Sequence, residues 1–206
     1  MISKLVLSAF ALSAVATAAG APVSTDSPKD TLFIAKFNQE NTNIEGEITF
    51  QSDNGSVLVK VDLEELPKVG GPFPYHIHQF PVPSDGNCTG TGGHLNPFNG
   101  TTNATTSAGK EVGDLAGKHG NITSNPFTAQ YLDDYISLNP KNPAFIGGLS
   151  VVIHDRDNKR LACANITAVN DNQQNVTSSV LPGAANLVST NGLVMGAAVG
   201  VAALLI

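Results

Sequence analysis

The chain predicts an all-β fold, a sandwich or barrel, on three observations. Short apolar segments with alternating polar residues recur, as in Ser56-Val-Leu-Val-Lys-Val-Asp-Leu63; that is the period of a half-buried strand. Clusters of Asn, Asp, Gly and Ser separate these segments and favour turns. No segment of the interior carries a convincing 3.6-residue apolar period of a helix.

The elements follow in order. Pro22 to Asp30 is polar and proline-bearing, a loose lead-in. Thr31–Phe37, Ile44–Phe50 and Ser56–Leu63 are the first three strands, with turns at Asn38–Asn43 and Ser52–Gly55. Tyr75-His76-Ile77-His78 is a further strand, which puts both imidazoles on one face. Pro81 to Ala108 is rich in Gly, Pro, Asn and Thr and forms a long loop, a length that usually marks function or disorder. Gly148–His154 and Leu161–Ala168 are two late strands flanking the short Asp155–Lys159 turn.

The two ends carry targeting signals. Residues 1–19 hold Lys4, an apolar run from Leu5 to Val15 and small residues Ala16 to Ala19, the order of a secretory signal peptide. Residues 171–192 form a polar stalk, with small residues Gly183-Ala184-Ala185 near its end, and an apolar tail occupies 193–206. The tail is shorter than the ~20 residues that span a bilayer. The order small residues, polar spacer, apolar tail is that of a GPI-attachment signal, cleaved on anchoring, with Gly183 the expected site. The expected location is therefore extracellular, at the cell surface, on membrane or cell wall. The sequons at Asn54, Asn87, Asn99, Asn103, Asn121, Asn165 and Asn175 agree with a secreted glycoprotein. Asn87 is the least expected to be used, since it adjoins Cys88. Two Cys in an oxidising compartment favour one disulfide over a thiol site. The net charge of −6 argues against nucleic acid and against anionic membrane surfaces as partners.

The chemistry lies in the histidines. The chain has five, and four of them, His76, His78, His94 and His154, fall in three separated segments that a β-fold could bring together. An all-imidazole set suits copper or zinc. His119, in Gly117-Lys-His-Gly120, is read as a surface loop residue.

These motifs occur in a telling order: His-x-His at 76–78, Cys88, Gly93-His94-Leu-Asn-Pro97, Gly113-Asp114-Leu115, Val151-Val-Ile-His154 and Arg160-Leu-Ala-Cys163. From about Leu32 to Ala168 the chain resembles the copper/zinc superoxide dismutases. The resemblance implies a Greek-key β-barrel or sandwich over residues 30–170, with long loops. It implies one copper on His76, His78, His94 and His154, Arg160 as the residue that guides and holds the superoxide anion, and a Cys88–Cys163 disulfide that pins the His94 loop.

Two departures are as informative. In the family a zinc ion sits on the bridging His, two further His and an Asp. Here the first of those positions is Thr102 and the second Glu111, and only Asp114 survives. That donor set is poor for zinc, which wants four good N, S or carboxylate ligands. Only Asp155 to Lys159 separate His154 from Arg160, where the family usually has a long charged loop. Both losses resemble the fungal extracellular copper-only dismutases, so zinc is not expected. Asp114 is then the expected hydrogen-bond partner orienting His94, and Glu111 a residue that could neutralise the site or relay protons. The expected activity is dismutation of superoxide to oxygen and hydrogen peroxide, and a monomer is expected. The alternative is a cell-surface protein that binds copper without turning over. Arg160 favours the enzyme, because storage needs no anion guide.

Overall fold

The computed structural model describes residues 20–38 and 43–169. The signal segment, residues 39–42 of the first turn, and the stalk, anchor site and tail lie outside the described residues. Seven strands form one antiparallel sheet: β1 (Leu32–Phe37), β2 (Glu45–Asp53), β3 (Ser56–Glu64), β4 (Tyr75–His78), β5 (Phe127–Asp133), β6 (Ser150–His154) and β7 (Arg160–Ala168). Their order is β4-β6-β7-β1-β2-β3-β5, so β4 and β5 are the edges. One short helix, α1 (Leu115–His119), follows the long loop.

The strand alternation becomes the core. In β3, Val57, Val59, Val61 and Leu63 are buried, while Lys60, Asp62 and Glu64 between and beyond them are exposed. Phe33, Ala35 and Phe37 of β1 and Ile48 and Phe50 of β2 join the same cluster. The β2–β3 hairpin closes at Asn54-Gly55, both with positive φ (50° and 93°), and pairs Asp53 with Ser56. A two-residue turn of that kind wants Asn-Gly, which is what the sequence supplies.

Three features differ from the sequence reading. β5 was not anticipated: Phe127-Thr-Ala-Gln-Tyr-Leu-Asp133 begins just after Pro126, and its alternating Phe, Ala and Tyr make a weak apolar signal. α1 is five residues long, too short to show a periodicity. The lead-in is not loose. Ala21, Ser24 and Ser27 are buried, Ser24 N–H donates to Asp134 O at 2.6 Å, and Leu138 N–H donates to Ser27 Oγ at 3.1 Å. Asp26 gathers Ser24, Ser137, Asn139 and Asn142 as donors. Burial opposes its charge, but those hydrogen bonds together outweigh it and lower its pKa. A polar segment can dock by hydrogen bonds alone, which no hydrophobic pattern announces.

Candidate metal centre

β4 is short and buried along its whole length, and it pairs with β6 so that His76 lies opposite Val152 and His78 opposite Ser150. His76 and His78 therefore share a face, as their i, i+2 spacing requires. His94 comes from the long loop. It bridges to His78, and Leu95 N–H donates to Ile77 O at 2.8 Å, which lays this loop segment beside β4. His154 ends β6. There the β6–β7 register shifts: Ile153 pairs with Ala162 but His154 with Arg160. Such a bulge re-aims side chains at a strand end, and here it sets Arg160 beside His154.

The four imidazoles converge, each offering a ring nitrogen, with those atoms all within 4.8 Å of one another. The remaining ring nitrogens are held. His78 Nδ1 lies 3.0 Å from Gly92 O, and His154 Nδ1 lies 3.2 Å from Asn158 O. His94 Nδ1 lies 2.5 Å from Glu111 Oε2, and His76 Nε2 lies 3.5 Å from Asp114 Oδ1. Carbonyl and carboxylate oxygens only accept, so Nδ1 of His78, His94 and His154 carries the proton and donates, while His76 Nε2 faces the Asp114 carboxylate within ion-pair range. This leaves Nδ1 of His76 and Nε2 of His78, His94 and His154 as lone-pair donors. His76 Nδ1 is buried and has no hydrogen-bond partner among the described residues, while His78 Nε2 and His154 Nε2 approach to 3.2 Å. An orphaned buried nitrogen is rare unless something else meets it. Held outer nitrogens with free inner ones are the pattern of metal-binding histidines, and the residues fit a cation suited to imidazole.

Electrostatics agrees. Burial, helped by the neighbouring imidazoles, pushes His76 down to about 2. Burial also holds His78 at about 3, against a small upward pull from Gly92 O, and lowers His154. His76, His78 and His154 are thus neutral at ordinary pH, as ligands must be.

The site opens to solvent through a shallow pocket of about 340 Å³ lined by His78, His94, Thr102, Glu111, His154 and Arg160. Arg160 is clamped by the disulfide loop: Nη1 donates to Cys88 O (2.5 Å), Thr89 O (3.0 Å) and Thr91 Oγ1 (3.1 Å), and Nη2 to Gly92 O (2.6 Å). Cys88 is bonded to Cys163 of β7. Cation, clamp and disulfide form one unit at the pocket rim.

Two sequence expectations need correction. Asp114 does not orient His94. Its carboxylate caps α1, accepting from Gly117 N–H at 2.7 Å, and faces His76 instead. Glu111 holds His94, with Oε2 2.5 Å from Nδ1 of that ring. Nor is His119 a surface loop residue: it ends α1, stacks on Tyr131 at 3.8 Å between ring centroids, and donates from Nε2 to buried Asp133 at 2.9 Å. The Asp133 partnership was invisible in sequence, because β5 itself was.

A seven-stranded antiparallel sheet packed on an apolar core, with four convergent histidines and a clamped arginine at its rim, defines a superoxide dismutase of the copper/zinc type. Residues 44–180 match the copper/zinc superoxide dismutase (SODC) family, and the chain belongs to it. It is 51% identical over 176 residues to the cell surface Cu-only superoxide dismutase 5 of Candida albicans, covering 84% of this chain and 77% of that protein. It is 49% identical over 175 residues to cell surface superoxide dismutase [Cu-Zn] 4 of the same organism, covering 84% and 75%. The solved structure of Candida albicans superoxide dismutase 5 with Cu(II) superposes with a TM-score of 0.67 at 51% identity, covering 72% of this chain and 99% of that one. The chain is thus an oxidoreductase of the superoxide dismutase family, similar to cell-surface relatives. The relatives' names differ on zinc, so for this chain that point rests on its own residues.

Proposed function

We propose that this chain dismutates superoxide at the cell surface with a single copper held by His76 Nδ1 and by Nε2 of His78, His94 and His154, and without zinc. The observation that carries the reading is the division of labour among ring nitrogens: three are held by oxygen acceptors, a fourth faces the Asp114 carboxylate, and the other four converge. A copper held there would supply one-electron chemistry, by which one superoxide is oxidised to oxygen and a second, with two protons, is reduced to hydrogen peroxide.

The chain's residues supply the rest. Arg160 puts a permanent positive charge at the pocket rim near His78 and His154, where it attracts a small anion. Its four contacts fix the guanidinium in place, so little side-chain freedom remains to be lost when the anion arrives. Glu111 holds the proton of His94 at Nδ1, in a pocket wall open to water, where that proton can be exchanged. Asp114 faces His76 Nε2 and so favours the tautomer that leaves Nδ1 free. The absence of zinc is supported by what stands in its place. Thr102 offers no imidazole, Glu111 is committed to His94, and Asp114 to Gly117 and His76.

All four ligands and Arg160 come from one chain, which supports a working monomer. Anchoring through a GPI lipid, with removal of residues 193–206, is supported by the order of small, polar and apolar segments at the C-terminus. Elemental analysis paired with a superoxide-consumption assay tests the function. One copper, no zinc and activity are expected; one zinc per chain, or copper-loaded protein without activity, would overturn it.

A further inference from the structure

One buried charge pair lies outside the metal centre yet holds the segment that carries Glu111 and Asp114. Lys118 Nζ and Asp133 Oδ2 are 2.6 Å apart, with side chains only 1% and 0% exposed. Asp133 sits at the end of edge strand β5, paired in the sheet with Val57 of β3. Its carboxylate also accepts from Tyr135 N–H, Ile136 N–H and His119 Nε2. Burial alone would raise its pKa, but Lys118 and these donors outweigh it and bring it to about 2. The carboxylate is therefore a fixed anchor in the sheet.

Lys118 makes a second contact that an ion pair alone would not need. Its Nζ donates to Val112 O at 2.7 Å. Val112 is buried and lies between Glu111, which holds His94, and Asp114, which faces His76. Lys118 N–H also returns to Asp114 O at 3.2 Å, so segment 111–118 closes on itself. Toward the site, Gly113 N–H donates to Leu95 O and Gly113 O accepts from Ile77 N–H, beside the histidines of β4. Through α1, the ammonium thus links one edge strand of the sheet, β5, to the metal-bearing edge, β4. A buried ion pair is at best near break-even for stability against apolar residues of equal volume. What sets this one apart is the segment it holds.

We infer that the Lys118–Asp133 pair is a positioning device for the metal centre, setting through the Val112 carbonyl the segment that aims Glu111 at His94 and Asp114 at His76. The inference rests on the four-histidine copper reading. It assigns Lys118 and Asp133 no contact with copper or superoxide.

The test compares copper affinity, by chelator competition, and the electron paramagnetic resonance spectrum of bound Cu(II) in the full chain. Lys118→Met should weaken copper binding by about 10-fold or more, the lower end of what outer partners of metal ligands contribute, and should shift the spectrum. Val59→Ala, which opens a void in the core on β3, controls for lost stability and should move neither. If Lys118→Met does not fold, Asp133→Asn keeps the volume and the backbone donors and is read the same way. A folded Lys118→Met or Asp133→Asn with wild-type affinity and spectrum overturns the positioning role. So does a Val59→Ala variant that shifts both as much as Lys118→Met. Failure of the wild-type chain to bind copper at its histidines would instead overturn the underlying function.

Discussion

Removing the disulfide should cost both stability and control of the anion, and the two effects can be worked out separately. Cys88 and Cys163 are 75 residues apart in sequence. Opening a loop of that length returns about 4 kcal/mol of chain entropy to the unfolded state. At roughly 2–4 °C per kcal/mol for a unit of this size, Cys88→Ser/Cys163→Ser should lower the unfolding midpoint by on the order of 10–15 °C. The second effect comes from geometry. The turn freed is the one whose carbonyls, Cys88 O, Thr89 O and Gly92 O, clamp Arg160, and Gly92 O also holds His78 Nδ1. With a loosened clamp the guanidinium explores more positions, and efficiency at low salt should fall more than at physiological salt. Scanning calorimetry reads the first effect, and superoxide consumption against ionic strength reads the second. A double variant melting within a few degrees of wild type would refute the loop-entropy estimate. One with wild-type salt dependence would refute the link between disulfide and Arg160.

Further outcomes follow from the site. Arg160→Ala should lower catalytic efficiency and flatten its salt dependence while copper stoichiometry, read by elemental analysis, is unchanged; loss of copper instead would reassign the residue. Glu111→Ala should weaken copper retention or activity by about 10–100-fold through a misdirected His94, and a fully active variant would remove Glu111 from that role. Asp114→Ala should lose about 1 kcal/mol of stability as a helix cap and also perturb His76, seen as a change in the Cu(II) spectrum; an unchanged spectrum would leave only the cap. Copper-free protein should lose stability as pH falls. His76 at about 2, His78 at about 3 and lowered His154 stand below the ~6.5 of the unfolded chain. Below pH ~6.5 the unfolded state therefore binds more protons, so stability present above that pH is lost towards the folded values. A denaturant midpoint that stays flat from pH 7 to 5 would contradict this.

The legible part of the molecule was whatever is written locally. Alternation in Ser56–Leu63 named a strand, because a residue's face depends only on its neighbours in sequence. Ser52-Asp-Asn-Gly55 named a turn, because Asn and Gly tolerate the positive φ values that it needs. His76 and His78 named a shared face for the same reason, and the motif order linked them to His94 and His154. The illegible part depended on contacts between distant segments. Asp114 and Glu111 stand three residues apart, and nothing local says which carboxylate meets which ring. That is decided by α1, whose first turn recruits Asp114 as its cap, and by the placement of the His94 loop against Ile77. The docking of Asp26 and the packing of His119 against Tyr131 and Asp133 likewise depend on partners more than ten residues away. The sequence by itself determined which side chains could bind a metal and that they sit on a β framework. Only the tertiary structure decided which oxygen holds each outer ring nitrogen, because a hydrogen bond is chosen by the distance between segments and not by their order along the chain.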